Sequence, residues 1–322
     1  MNFFLRNYFS LKLNWITRLF MFKFTIFLIL IIFWCLLKES KKVKVCVCTP
    51  AKEENKYIRE FVEHYKNYGV DKIFLYDNNE LNGERFEEVI NDYIEDGFVE
   101  IKDFRGQKRV LMNMMNDCYR KNFLDYDWLI FFEVDEFIYL KDYKNIKDYL
   151  GNKRFNKCER IQLNWIFHTD NNLLYYDNRS LKERFPEREL IARGKNIGRR
   201  SVIKSILKGH IPKIKINCVH TLNHNLKNCD GFGNPTKIIG LWGEKTDSEY
   251  YYIDHYNFKS TQEFIDKVNK GDVLYFKDNL FQRIRLYFVI NKMTKEKIDL
   301  MEKGTHLNMS KFRKKLENKG IK

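Results

Sequence analysis

Three carboxylates, Glu133, Asp135 and Glu136, interrupt the apolar and aromatic stretch Ile130-Phe131-Phe132-Glu133-Val134-Asp135-Glu136-Phe137-Ile138-Tyr139-Leu140. A buried carboxylate is costly unless a positive partner meets it. The stretch therefore predicts a core strand whose exposed end offers acids to a metal ion. In an extended chain Glu133 and Asp135 share one face and Glu136 takes the other. Two acids on one face suit a hard divalent cation held by few protein ligands, with a substrate's phosphates completing its shell. A strand end running into a turn and capped by acids has the same spacing and is the plainer alternative.

Positioning such acids needs a sheet, and the preceding sequence predicts one. Lys42 to Cys48 alternates polar and apolar residues before Thr49-Pro50, which reads as a strand with a stop signal. Tyr57, Ile58, Phe61, Val62 and Tyr65 recur at helical spacing and end at Gly69. A strand at Lys72 to Tyr76, a helix near Arg85 to Glu95, a strand at Phe98 to Phe104, a helix near Lys108 to Asn122 and the strand Trp128 to Phe132 complete the alternation. That order predicts an α/β fold with an open, mostly parallel sheet and helices on both faces. In such sheets ligands bind beyond the carboxyl ends of the strands. Thr49-Pro50-Ala51, Asp77-Asn78-Asn79 and Glu133-Val134-Asp135 all fall at such ends and should meet in one cleft. Beyond Leu140 strands dominate: Arg160 to Phe167, Ser201 to Ile206, Ile214 to Leu222 and Tyr250 to Phe258, before a helix near Thr261 to Lys270.

Composition bounds the function classes. The 322 residues, 44% hydrophobic and 16% aromatic, suffice for one large domain or two small ones and exclude a disordered chain. The net charge of +15 invites an anionic partner, but the basic residues are spread along the chain, so nucleic acid is not expected. The apolar run Phe24 to Leu37, extended back to Leu19 with Lys23 snorkelling, reaches the roughly 20 residues that span a bilayer. No small-residue cleavage pattern follows it. The expected plan is a cytoplasmic segment 1–18, a transmembrane signal anchor 19–37 and a short stem 38–42. A single domain 43–276 and a basic helical segment 277–322 would follow. The positive flank places the domain across the membrane, in a Golgi- or ER-type lumen if the cell is eukaryotic; a buried N-terminal helix is the alternative. Outside the apolar run, Cys46, Cys48, Cys118, Cys158, Cys218 and Cys229 permit disulfides without any framework spacing. The sequons at Asn178 and Asn308 are compatible with a lumenal domain.

From about Val43 to Val273 the chain resembles glycosyltransferases of the GT-A fold, most closely glycosyltransferase family 92 and the related family-2-like group. The resemblance rests on Lys52-Glu53-Glu54-Asn55-Lys56-Tyr57-Ile58-Arg59-Glu60-Phe61, Tyr76-Asp77-Asn78-Asn79, Asp127 through Phe137, Leu163-Asn164-Trp165, Glu183-Arg184-Phe185 and His255-Tyr256-Asn257-Phe258-Lys259-Ser260. It implies a Rossmann-like catalytic domain that binds a nucleotide sugar and a divalent metal, usually Mn2+ (or Mg2+), and moves the sugar to a glycan acceptor on protein or lipid. By position, Glu133-Val134-Asp135 corresponds to the D-x-D element, with Asp135 contacting metal and diphosphate and Glu133 replacing the first Asp. A metal bridging the phosphates would stabilise the charge that grows on the leaving diphosphate. The resemblance makes His255 a third metal ligand and Lys259 a phosphate contact, and sets Thr49, Glu53 and Asp77 beside the nucleoside. Asp77 also suits an Asx turn, and Glu53 a helix first turn.

Inversion at the sugar carbon needs a carboxylate near the acceptor hydroxyl. Asp170 and Glu183 are the candidates, with Asp230 a weaker one. Arg199, Arg200 and Lys204 can reach phosphates or simply line an exposed strand edge. Trp128, Trp165 and Trp242 can stack on sugar rings or pack in the core. The function expected is a metal-dependent hexosyltransferase, with UDP-galactose a possible donor. A metal-dependent phosphoryl or nucleotidyl transferase, or an inactive glycan- or nucleic-acid-binding relative, are the alternatives.

Overall fold

The computed structural model describes residues 20–27, 43–189, 200–222, 225–239, 242–244, 249–270, 278–309 and 314. The chain divides into two units, 1–42 and 43–322. In the first, residues 20–27 form a helix (α1) with exposed side chains. Residues 1–19 and 28–42, which include most of the expected anchor and all of the expected stem, lie outside the described residues. Among the described residues no helix is long and apolar enough to cross a membrane.

The second unit opens with the expected alternation: β1 (Val45–Ala51), α2 (Ile58–Asn67), β2 (Lys72–Asp77), α3 (Glu87–Glu95), β3 (Val99–Asp103), α4 (Leu111–Asn122) and β4 (Trp128–Ile130). Period-two patterning in β1 sorts its side chains. Val45 and Val47 join Ile58, Phe61, Val62 and Tyr65 of α2 in the larger core. Cys46 and Cys48 join Met114, Met115 and Cys118 of α4 in a second core. Helices therefore cover both faces of the sheet, and a Cys48–Cys118 disulfide ties α4 to β1. Gly69 closes α2 at φ +79°, a left-handed turn that favours glycine.

The later strands are β5 (Glu136–Leu140), β6 (Arg160–His168), β7 (Arg188–Glu189), β8 (Arg200–Lys208), β9 (Asn228–Cys229), β10 (Ile238–Ile239), β11 (Trp242–Glu244) and β12 (Tyr251–His255). Helices α5 (Ile146–Leu150), α6 (Leu181–Arg184), α7 (Thr261–Lys270), α8 (Asp278–Ile290) and α9 (Lys295–Thr305) accompany them. The main strand order is β3-β2-β1-β4-β8-β6-β12-β5. β3, β2, β1 and β4 run parallel. β8 lies antiparallel to both β4 and β6, and β12 is parallel to β6 but antiparallel to β5. The sheet is thus mixed, and the mostly parallel expectation holds only for its first half. β8 reaches the side of β4 after a long excursion, not through the one-helix crossover that fixes a parallel neighbour.

Two expected strands change. Ile214 to Leu222 forms only an isolated bridge, Cys218 to Leu222. There the Ile216 N–H donates to the Asn116 side-chain oxygen at 2.9 Å in place of a neighbouring strand. The acidic stretch is not one strand either: β4 stops at Ile130 and β5 starts at Glu136. Between them the Glu136 N–H donates to the Glu133 carbonyl and the Glu133 N–H to Glu136 Oε2, both at 3.0 Å. This turn cancels the alternation of faces and brings Glu136 to the side of Asp135.

β5 is the outer strand of the order, and α2 lies along it. The Tyr65 hydroxyl donates to the Glu136 carbonyl at 2.9 Å and accepts from the Ile138 N–H at 3.3 Å. His64 Nε2 lies 3.0 Å from the Ile138 carbonyl. The C-terminal helices, expected as a separate basic segment, bury Ile284, Tyr287 and Met301 in the larger core of this same unit. A second disulfide joins Cys158 to Cys229.

Candidate active site

The carboxyl ends of β1, β2 and β4 converge as expected, and β6, β12, α7 and α8 close around them. They enclose a cavity of about 270 Å³ lined by Pro50, Ala51, Lys52, Glu54, Asn78, Leu111, Met114, Glu133, Val134, Asp135, Trp165, Phe167, Val219, His220, His255, Asn257, Lys267, Lys270, Arg283 and Leu286. A more polar cavity of about 340 Å³ is lined by Glu53, Lys56, Tyr57, Glu84, Lys259, Glu263 and Asp266 together with Glu54, Lys267 and Lys270, which belong to both.

Strand register builds the centre of the first cavity. His255, last residue of β12, pairs with Glu136 across β5 and with Phe167 across β6. Asp135 sits one residue before β5, and its carbonyl accepts from the Tyr256 N–H at 3.0 Å. His255 Nε2 is then 3.5 Å from Asp135 Oδ1. The other oxygen of Asp135 faces ammonium groups: Lys267 at 2.8 Å and Lys259 at 4.0 Å. Burial pushes the Asp135 carboxyl upward, but Lys267, His255 and Lys259 outweigh it and hold the group well below the usual carboxylate range. Burial pushes the Glu136 carboxyl well above its ordinary value and the His255 imidazole below its own.

Asp135, Glu136 and His255 each offer a ligand atom, all lying within 4.8 Å of one another. His255 Nδ1 is buried without a hydrogen-bond partner. Two carboxylates and an imidazole suit a divalent ion such as Mn2+, so these residues fit one. Glu133, expected among the ligands, is not in the group. Its carboxylate accepts from the Lys204 ammonium at 2.8 Å, and the same fully buried ammonium stands 3.2 Å from Glu136. Lys204 therefore neutralises the flank of the acidic turn, a job its position in β8 did not reveal.

The other expected site residues divide. Lys259 lies over the Tyr57 ring, 3.9 Å from its centroid, and 3.8 Å from Glu54; burial lowers its pKa. Lys259 and Glu53 hold left-handed backbones, φ 54° and 55°, which cost roughly 1–2 kcal/mol in a residue with a side chain. Thr49 is buried in β1 with its hydroxyl unpartnered, below the cavity rim formed by Pro50. Asp77 is taken up by structure: it pairs with Arg105 at 2.6 Å and accepts from the Asn79 N–H at 2.8 Å, the Asx turn. Its neighbour Asn78 lines the cavity instead.

Neither base candidate is among the lining residues. Asp170 is buried between the Lys297 ammonium at 2.7 Å and the Tyr287 hydroxyl, anchoring α8 and α9. Glu183 completes a capping box with Ser180 at the start of α6. Asp230 accepts from the Phe232 and Asn234 N–H groups, both at 2.9 Å, and closes its own loop. Arg199 lies outside the described residues, Arg200 starts β8 and Trp242 starts β11. Trp128 packs against Phe155 in the core. Trp165 lines the cavity, its ring 4.0 Å from that of His255 and 4.9 Å from that of His220. Sequence reasoning missed Lys267, Lys270 and His220. The first two sit in the last turn of a helix whose basic residues read as an ordinary solvated end.

Residues 41–309 match the family model of glycosyltransferase family 92. The chain belongs to glycosyltransferase family 92. This family 92 chain is 25% identical over 114 residues to a glycosyltransferase family 92 protein of Oryza sativa subsp. japonica, a match covering 35% of the chain and 19% of the rice protein. It is 25% identical over 117 residues to one from Ricinus communis, covering 36% and 21%. The chain thus spans about a fifth of the length of the curated relatives it matches. Among solved structures it is similar to the mannosyltransferase of Pyrobaculum calidifontis in complex with GDP-Man and Mn2+, with TM-score 0.30, 11% identity and 38% and 36% of the two chains covered. It is also similar to S. aureus TarS 1–349 in complex with UDP-GlcNAc, with TM-score 0.38, 10% identity and 82% and 72% covered.

Proposed function

We propose that this chain transfers a sugar from a nucleotide-sugar donor to a hydroxyl of a glycan acceptor, using a divalent metal, with inversion at the sugar carbon and UDP-galactose as first donor to test. The observation that carries the reading is the meeting of Asp135, Glu136 and His255 with Lys259, Lys267 and Lys270 at one end of the sheet. Acids and an imidazole suit the ion, and ammonium groups beside them suit a diphosphate.

When bound at Asp135, Glu136 and His255, the metal would supply Lewis-acid stabilisation of the leaving diphosphate. Lys259 and Lys267 neutralise the same oxygens from the α7 side. Pro50, Asn78, Leu111 and Met114 form a largely apolar wall for the nucleoside, with one amide to read it. Trp165 offers a ring face to the sugar or acceptor. The proton released by the acceptor hydroxyl goes to a carboxylate of the cavity, Glu54 or Glu133, in place of Asp170 or Glu183.

We place the domain on the far side of a membrane, held by the apolar run 19–37. Two disulfides support an oxidising compartment, as do exposed asparagines in both sequons. A donor panel with Mn2+, read by release of nucleoside diphosphate, tests the reading. Asp135→Asn should lower turnover by about a thousandfold while circular dichroism stays unchanged. No turnover with any donor sinks the enzyme reading, and an active Asp135→Asn protein moves the metal elsewhere.

A further inference from the structure

Lys267 occupies the place a cation would take at Asp135. Its ammonium donates to Asp135 Oδ2 at 2.8 Å and to Asn257 Oδ1 at 2.8 Å, with the Asn257 carbonyl at 3.4 Å. Three oxygens from two residues thus surround one charge. Lys204 is locked at 0% side-chain exposure, and Lys259 at 5% is likewise buried, whereas the Lys267 side chain is 27% exposed. It also borders both cavities, so its ammonium has somewhere to go. A divalent ion ligated by Asp135 and an ammonium 2.8 Å from the same carboxylate repel each other strongly in a buried setting.

We propose that Lys267 is an internal counter-cation that competes with the divalent ion for Asp135 and, once displaced, turns to the donor's diphosphate. The inference rests on the metal-site reading above. Its consequence is ordered loading: the ion binds weakly to the empty site and tightly once a diphosphate receives the lysine, because each ligand pays back the cost that the other creates. Removing the ammonium should uncouple the two.

The test is calorimetric titration of the full chain with Mn2+ alone, then with Mn2+ in the presence of UDP or GDP. In Lys267→Met, Mn2+ alone should bind about tenfold more tightly than in the wild type, since the competing charged hydrogen bond is gone. The nucleotide should bind that variant more weakly, and its enhancement of Mn2+ affinity should shrink toward one. Lys267→Arg keeps the charge and should preserve the low affinity for Mn2+ alone, which separates competition from damage to α7. If Mn2+ binds and Asp135→Asn removes it, yet Lys267→Met leaves the affinity unchanged or lower, the counter-cation is refuted and the metal site stands. If no variant and no wild-type sample binds Mn2+ with or without nucleotide, both readings fall together.

Discussion

The two halves of the sheet bring oppositely charged partners together around Glu54, Glu133 and Asp135. The turns after β1 and β4, in the parallel half, supply Glu54, Glu133 and Asp135, and the basic partners that meet them, Lys204, His255, Lys259, Lys267 and Lys270, come from the mixed half and α7. Neither set is stable alone in a buried site, because unpaired charge is costly there. The cavity is therefore a product of docking the second half onto the first. Glu133 shows this most directly, since it lies in the turn after β4 and its carboxylate meets Lys204 of β8 at 2.8 Å.

Breaking that junction should have the largest effect. Lys204→Met removes the ammonium that meets both Glu133 and Glu136, and should cost about 4–5 kcal/mol in urea unfolding. Adding Glu133→Gln should recover part of it; no recovery would mean that this pair does not join the halves. Lys297→Met works within the second half. It strands Asp170, which keeps its bond from Tyr287, so the expected cost is nearer 3 kcal/mol, with Mn2+ affinity retained. A matching loss of Mn2+ affinity would tie α9 to the site.

A pH series sharpens the contrast with one probe in each half. Burial lowers the pKa of His64 in α2 and of His220 at the cavity from 6.5 to about 4. Both are neutral in either state well above 6.5. As pH falls from there toward 4, the unfolded chain binds protons that the folded chain refuses, so stability is full at neutral pH and lost through this window. The expected loss is on the order of 1–3 kcal/mol per histidine. His64→Gln and His220→Gln should each flatten the profile, and an unflattened profile would reassign the titration. The smallest effect belongs to Glu183→Ala, which should cost about 1 kcal/mol through the capping box and leave sugar transfer unchanged. A large fall in turnover would restore Glu183 as a catalytic residue.

The parallel half was legible because each βα unit carries its own periodicity and stop signals, as in Ile58, Phe61, Val62 and Tyr65 before Gly69. Its acids were legible because charge in an apolar run is conspicuous. The turn at Glu133 to Glu136 was not, since it depends on hydrogen bonds between these residues and on β12 pairing with β5. The partners of Asp170 and Glu183 were hidden for a related reason. A carboxylate near a motif gives no sign of whether Lys297 or Ser180 has already claimed it. Lys267 was invisible because nothing local distinguishes it from a solvated lysine; only the fold brings it to Asp135.

The side chains that α2 lays along β5 have a consequence for association. A sheet's outer strand normally leaves backbone donors and acceptors open to strand addition by another chain. Here Tyr65 engages both the Glu136 carbonyl and the Ile138 N–H, and His64 meets the Ile138 carbonyl. The edge that carries Glu136 is thereby closed to templating, so self-assembly by sheet extension has no foothold beside the site.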